Sequence, residues 1–158
     1  MKTRLLDIEL KNGLLMAILL GIYFLTLSVL RLSGNIYFKA GNAIIAAWVI
    51  YHTIKTSKVV YSETYEGTYF NHFFSGLKTG FFGTLMALVG LAVFLIAFPS
   101  SYEDMLRASV IPVSGLWQLF VSLLIEGVSG SVIISLVLMQ YWKNYEYKRT
   151  QGFVERTQ

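Results

Sequence analysis

The sequence predicts an all-α membrane protein: a bundle of four transmembrane helices with both termini in the cytoplasm. Three observations carry this. Four long apolar runs occupy most of the 158 residues. Only 14% of the residues are charged, whereas a soluble domain carries about 25%. The Lys and Arg residues gather at the ends of the runs, mostly on one side. The mean hydropathy is +0.58, so most of the surface is suited to lipid. The chain reads as one integral membrane domain, 1–158, with helices at about 13–30, 36–54, 76–98 and 113–141.

The first run follows Lys2, Arg4 and Lys11. Asp7 and Glu9 spoil the basic region of a signal peptide, and no small-x-small cleavage pattern follows, so this run is expected to remain as a first helix. The second starts with Lys39 and Asn42 in its first turns and has His52 near its end. The third is the cleanest: Thr79 to Phe98 holds 20 residues without a formal charge, about 30 Å of helix and the thickness of a hydrocarbon core. Pro99 ends it, and the fourth begins after Pro112 and leaves through Tyr141-Trp142-Lys143, where Trp142 and Tyr145 make an aromatic belt. A buried helix of a soluble protein keeps a polar face, and 79–98 has none.

With the N-terminus inside, the cytoplasmic segments hold ten of the Lys and Arg residues; the outer loops hold Arg31, Lys39 and Arg107. The positive-inside rule therefore orients the chain, and the tail 142–158 is cytoplasmic. The net charge of +4 is flanking charge with no basic stripe, which argues against nucleic acid as a partner. Ser101-x-x-Asp104 approximates a capping box, so a short surface helix through Met105 and Arg107 is expected in the outer loop.

The link 55–75 carries Tyr61, Tyr65, Tyr69 and Phe73 at four-residue spacing, one aromatic stripe if helical. Such a stripe suits a segment at the headgroup level or a docking face for a partner protein. On the third helix Gly76, Gly80, Gly83, Ala87 and Gly90 alternate in steps of four and three. Helices in lipid associate through close backbone packing, which small residues permit. That face is expected to pack within the bundle or across a homodimer.

Glu126 lies in the middle of the fourth run, where a carboxyl costs about 2.5–3.5 kcal/mol on insertion scales. Gly115, Gln118, Ser122, Glu126, Ser129 and Gly130 fall on one broad face, so Glu126 is expected to look into the bundle or at a partner helix. Matching depths by the helical rise brings Tyr23, Thr26 and Asn42 near Ser122 and Glu126, with Lys39 about 10 Å outward of the midplane. Two readings of this polar cluster stand: hydrogen-bonded glue between helices, or a site that handles a proton or ligand. His52 and His72 form a weak metal pattern, and no metal or cofactor is expected. Cysteine is absent, as are the nucleophile-elbow, P-loop, zinc-protease and dinucleotide motifs, so no enzyme activity is expected.

The second helix ending in Tyr51 and Lys55, the loop with Gly67, the aromatic segment Tyr69-Phe70-Asn71-His72-Phe73-Phe74 and the start Gly76-Leu77-Lys78-Thr79-Gly80 together resemble the DUF4199 family of bacterial membrane proteins. The resemblance covers most of the chain. It implies a four-helix inner-membrane protein and no established activity. Two functions follow as expectations. The first is a non-catalytic accessory or interaction subunit of a larger membrane complex. The alternative is a small parallel oligomeric transporter or channel using Glu126 as its proton or cation site. Four-helix multidrug exporters carry their glutamate in the first helix and show little Lys/Arg bias; both differ here.

Overall fold

The computed structural model describes residues 2–30, 32, 37, 39–62, 69–99 and 115–154. Four helices make up almost all of this: α1 Lys2–Val29, α2 Lys39–Ser62, α3 Tyr69–Ala97 and α4 Leu116–Val154. No strand occurs among the described residues. α1, α3 and α4 each contain a stretch long and apolar enough to cross a membrane: Leu5–Val29, Tyr69–Ala97 and Leu116–Tyr141. α2 has the length, 24 residues, but Asn42, His52, Lys55 and Lys58 dilute its apolar character.

The helices outrun the apolar runs. α1 begins at Lys2, α2 continues to Ser62 and α3 starts at Tyr69. The link expected at 55–75 is therefore mostly the ends of two helices. Polar residues such as Lys and Glu are good helix formers, so the helix continues where hydropathy falls. α4 reaches Val154 over 39 residues, about 58 Å against a core of about 30 Å. The segment expected as a tail thus prolongs the helix. Pro99, which cannot extend a helix, follows the end of α3. The surface helix expected through Met105 lies outside the described residues.

α3 is the hub and packs against the other three helices, most extensively α1. α1 and α3 run parallel: Glu9 meets Ser75 and Lys78, Gly13 meets Thr79 and Gly83, and Phe24 stacks edge-on against Phe94 at 5.2 Å. α2 is antiparallel to both, with Asn12 against Thr53 and Tyr23 against Gly41 on one side and Ser57 against His72 on the other. α4 runs antiparallel to α3, with Gly76 opposite Ser135, Gly80 opposite Ser131 and Thr84 opposite Gly127. The start of α1 and the end of α4 therefore lie at one end of the bundle, the end that carries Lys11, Lys55 and Lys78.

The small residues of α3 divide between two neighbours. A Cβ on Gly83 would lie 3.2 Å from the Gly13 carbonyl oxygen and would clash with Met16. Here two backbones touch. Gly76 and Gly80 turn to α4 and α2, where an added Cβ would clash with the Ser131 side chain or press on Ile50 and Ile54. Gly90 is exposed, with nothing within 4 Å of an added Cβ, so the stripe is open at that end. Apolar packing concentrates near the basic end, in a cluster of Ile50, Ile54 and Met139.

This geometry separates the glycines by experiment. Gly83→Leu and Gly80→Leu should each lower stability in detergent by about 1–3 kcal/mol, the usual result of overpacking. Gly90→Leu should leave it unchanged or raise it by up to about 1 kcal/mol, because it only removes a helix-interior glycine. Thermal unfolding of the three variants checks this; equal losses would refute the division.

Candidate functional site

The residues expected to gather round Glu126 do not gather. Ser122 is buried, whereas Glu126, Asn42 and Thr26 are exposed, and Thr26 donates to the Ile22 carbonyl of its own helix at 2.8 Å. Tyr23 is half-buried with its hydroxyl end against Gly41. The Lys39 side chain lies outside the described residues.

Both the rotation and the depth of Glu126 differ from expectation. Of the face expected on α4 only Ser122 is buried; Gln118 is exposed with Leu119 buried beside it, and the packed face continues through half-buried Gly127 and buried Ser131, Ser135 and Met139. These follow a four-residue ridge that packs on Gly76, Gly80 and Thr84 of α3. Glu126, one position before Gly127, is turned outward. The Thr84–Gly127 pairing puts Glu126 near the level of Leu85, whereas the Phe24–Phe94 pairing puts Tyr23 near Val93. The two differ by roughly eight residues, about 12 Å of rise. Depth matching failed because the fourth apolar run is longer than a bilayer, so its middle is not the membrane's middle. Glu126 nonetheless lies about 5 Å from the centre of the charge-free stretch 79–98.

A polar layer does cross the bundle, but nearer its basic end. Glu9 of α1 is 2% exposed. Ser75 Oγ donates to its Oε1 at 2.7 Å, and Lys78 Nζ lies 3.6 Å from Oε2. One turn on, Asn12 Nδ2 donates to Thr53 Oγ1 at 2.9 Å, and Thr53 donates in turn to the Val49 carbonyl. Ser57 Oγ donates to the Ile54 carbonyl and lies 3.3 Å from His72 Nδ1, a contact whose donor depends on the imidazole tautomer. Ser135 Oγ is buried beside Gly76 with no hydrogen-bond partner. Serine serves there by its size.

Sequence reading missed this layer because Glu9 sits among charges that mark a membrane flank. The usable signal was spacing: Leu5, Glu9, Gly13 and Met16 share one helix face, and all four are buried. Chemically, the layer is a set of interhelical ties. A carboxylate held by a hydroxyl and an ammonium joins α1 to α3 at the level where the apolar core ends.

The remaining expected features separate. His72 is buried near Ser57, whereas His52 is exposed and stacks on Trp48, with ring centres 6.4 Å apart. No group of three His, Asp or Glu side chains suited to a metal occurs among the described residues. In the aromatic stripe, Tyr69 and Phe73 are partly buried against the Ile50–Ile54–Met139 cluster. They serve the interior of the bundle rather than an outward docking face. Tyr65 and the Tyr61 side chain lie outside the described residues. Ala87 is half-buried.

The polar layer yields an ordered set of stabilities. Ser75→Ala should cost about 1–3 kcal/mol, since it strips a buried carboxylate of a hydrogen bond. Lys78→Ala should cost less, about 0–1 kcal/mol, because the lysine side chain is 53% exposed and solvent screens the pair. Ser135→Ala should be neutral or mildly stabilising. Denaturation in a single detergent orders the three, and a Ser135→Ala loss as large as that of Ser75→Ala would reject the assignment.

Compared with family models, with curated proteins and with solved structures, the chain matches none, so its function has to be reasoned from its own residues.

Proposed function

We propose that this chain is a four-span protein of the bacterial inner membrane, with both termini cytoplasmic, that performs no catalysis and serves as an accessory subunit of a larger membrane complex. The observation that carries this is Glu126, exposed on α4 and deep within the apolar part of the bundle. A carboxyl facing lipid at that depth is unfavourable by about 2.5–3.5 kcal/mol. A second polypeptide against α4 would remove that surface from lipid. On the same exposed side stand Gln118 and Ser129, and at Gly130 an added Cβ meets nothing within 4 Å. A neighbouring helix can approach closely there.

A four-helix layout is also what the resemblance of the 69–80 segment to the DUF4199 family implies. α2 enters as a fourth span because its polar residues have interior or end positions: Thr53 and Ser57 are buried, and Lys55 and Lys58 stand near the basic end. The Lys/Arg bias supports a cytoplasmic location for that end. Among the described residues little beyond helix ends stands outside the apolar spans, which favours a role played through the lipid-facing surface.

Two measurements test the reading. Reporters fused after Gln158 and within 100–109 should fall on opposite sides of the membrane; finding them on the same side would overturn the four-span topology. Gentle detergent extraction should recover the chain with one companion at fixed stoichiometry. A photocrosslinker at Ser129 should capture that companion, and one at Ile18 on α1 should not. A homo-oligomer without any companion, stable across several detergents, would reject the subunit assignment.

A further inference from the structure

We infer that the outer seam between α1 and α2 holds the headgroup of an anionic phospholipid at the basic end of the bundle. Lys11, His52 and Lys55 form its cradle, and Trp48 lies beneath them. This placement rests on the four-span reading, since it needs α2 in the membrane. The Asn12–Thr53 hydrogen bond, at 2.9 Å, fixes the seam. In an antiparallel pair, the residues one position after the bonded two turn to one side, and those one position before turn to the other. Gly13 and Ile54, each one after, are buried, whereas Lys11 and His52, each one before, are exposed. The ammonium and the imidazole therefore stand on the two banks of the outer mouth. The helical rise separates their levels by only about 3 Å.

On α2 the side chains of Trp48, His52, Lys55 and Val59 recur within an arc of about 60°, and all four are exposed. Their order along the axis suits an upright lipid. Relative to Thr53, Lys55 lies about 3 Å toward the basic end and Trp48 about 7.5 Å toward the membrane interior. The cations thus stand where a phosphate would be, and the indole stands at the upper acyl level, where tryptophan is favoured. Trp48 and His52 stack with ring centres 6.4 Å apart and 29° between their planes. An imidazole N–H lies in the plane of its own ring, so stacking leaves it able to donate to a phosphate oxygen. Leu15 and Ile18 of α1, both exposed, come level with the turn that carries Trp48 and offer apolar surface to the acyl chain.

Charge complementarity selects the occupant. Lys11 and Lys55 bring two positive charges to one level, and neither makes an ion pair among the described residues. Lys78, at the same end, is instead held 3.6 Å from Glu9. Asp7 is exposed one turn beyond Lys11, farther from the membrane interior, so net positive charge remains at the mouth. A phosphodiester without a headgroup amine answers that charge. In a zwitterionic lipid the headgroup's own cation competes with the lysines for the phosphate.

Trp48 can report on its own site. The full-length protein with Trp117→Phe and Trp142→Phe is placed in vesicles of phosphatidylcholine and phosphatidylglycerol, with one lipid at a time brominated on its acyl chains. Quenching of Trp48 then gives the preference between the two lipids. Phosphatidylglycerol should be preferred about fivefold. Trp117, kept alone by Trp48→Phe and Trp142→Phe, is exposed at the opposite end of the bundle and should show no preference. Lys11→Gln and Lys55→Gln should each bring the Trp48 preference below about twofold, with circular dichroism and melting unchanged. Lys78→Gln, which removes the same charge from the same end, should leave the preference intact. Equal quenching of Trp48 by the two lipids would overturn the assignment, as would a preference that survives Lys11→Gln and Lys55→Gln combined. A fall as large in Lys78→Gln would also overturn it, reducing the effect to bulk attraction by net charge. The four-span topology fails separately, through the reporters placed within 100–109 and after Gln158.

Discussion

The contact between Gly13 and Gly83 is the constraint on which the rest of the bundle depends. Apolar burial draws helices together only weakly in lipid, so close backbone approach has to hold α1 to α3. The approach at this point fixes their register, and the register places Glu9 against Ser75 and Lys78 at one end and Phe24 against Phe94 at the other. With one side of α3 given to α1, its Gly76–Gly80–Thr84 ridge is left for α4. Packing that ridge against Gly127, Ser131 and Ser135 sets the rotation of α4, and that rotation turns Glu126 outward. The exposed carboxyl is thus a consequence of glycines on two other helices.

Much of this architecture is legible in the sequence, and its failures have a common cause. The all-α class, the three most apolar helices and the small face of α3 all follow from composition and periodicity along single segments. What such periodicity lacks is the identity of the neighbour. Gly76, Gly80 and Gly83 read as one stripe because they share an arc of α3, yet two helices divide that arc. Ser122 and Glu126 read as one buried face because they are four apart, yet the ridge in use below Ser122 passes through Gly127. A deviation of one position amounts to about 100° of rotation, enough to carry a side chain from the interior to the surface.

Charge misleads in a complementary way. Glu9 stands among Lys2, Arg4, Asp7 and Lys11 and has the sequence context of a solvated flank, but it is almost wholly buried. Glu126 stands alone among apolar residues and has the context of an interior group, but it is exposed. Where the membrane ends, water and long side chains lie close by, and a carboxylate can be buried against a neighbouring helix if a hydroxyl and an ammonium meet it. Ser75 and Lys78 do this for Glu9. Sequence gives the partner types for such a site only once the pairing of helices is known.

The open glycines sharpen what the outer surface of α4 is suited to. Gly21, Gly90, Gly115 and Gly130 each leave an added Cβ without a neighbour within 4 Å. Unpartnered glycine is a poor choice in a lipid-facing helix, since it loses chain entropy and contributes no side chain. At Gly21 and Gly90 the residues on either side along the helix are apolar: Leu20 and Ile22, Val89 and Leu91. Lipid chains can fill those spaces. Gly130 differs, for Ser129 adjoins it and Glu126 lies one turn away, so a lipid chain filling the notch would lie against polar groups it cannot satisfy. Steric openness and polar surface therefore coincide on α4, whereas on α1 and α3 the open glycines lie among apolar neighbours.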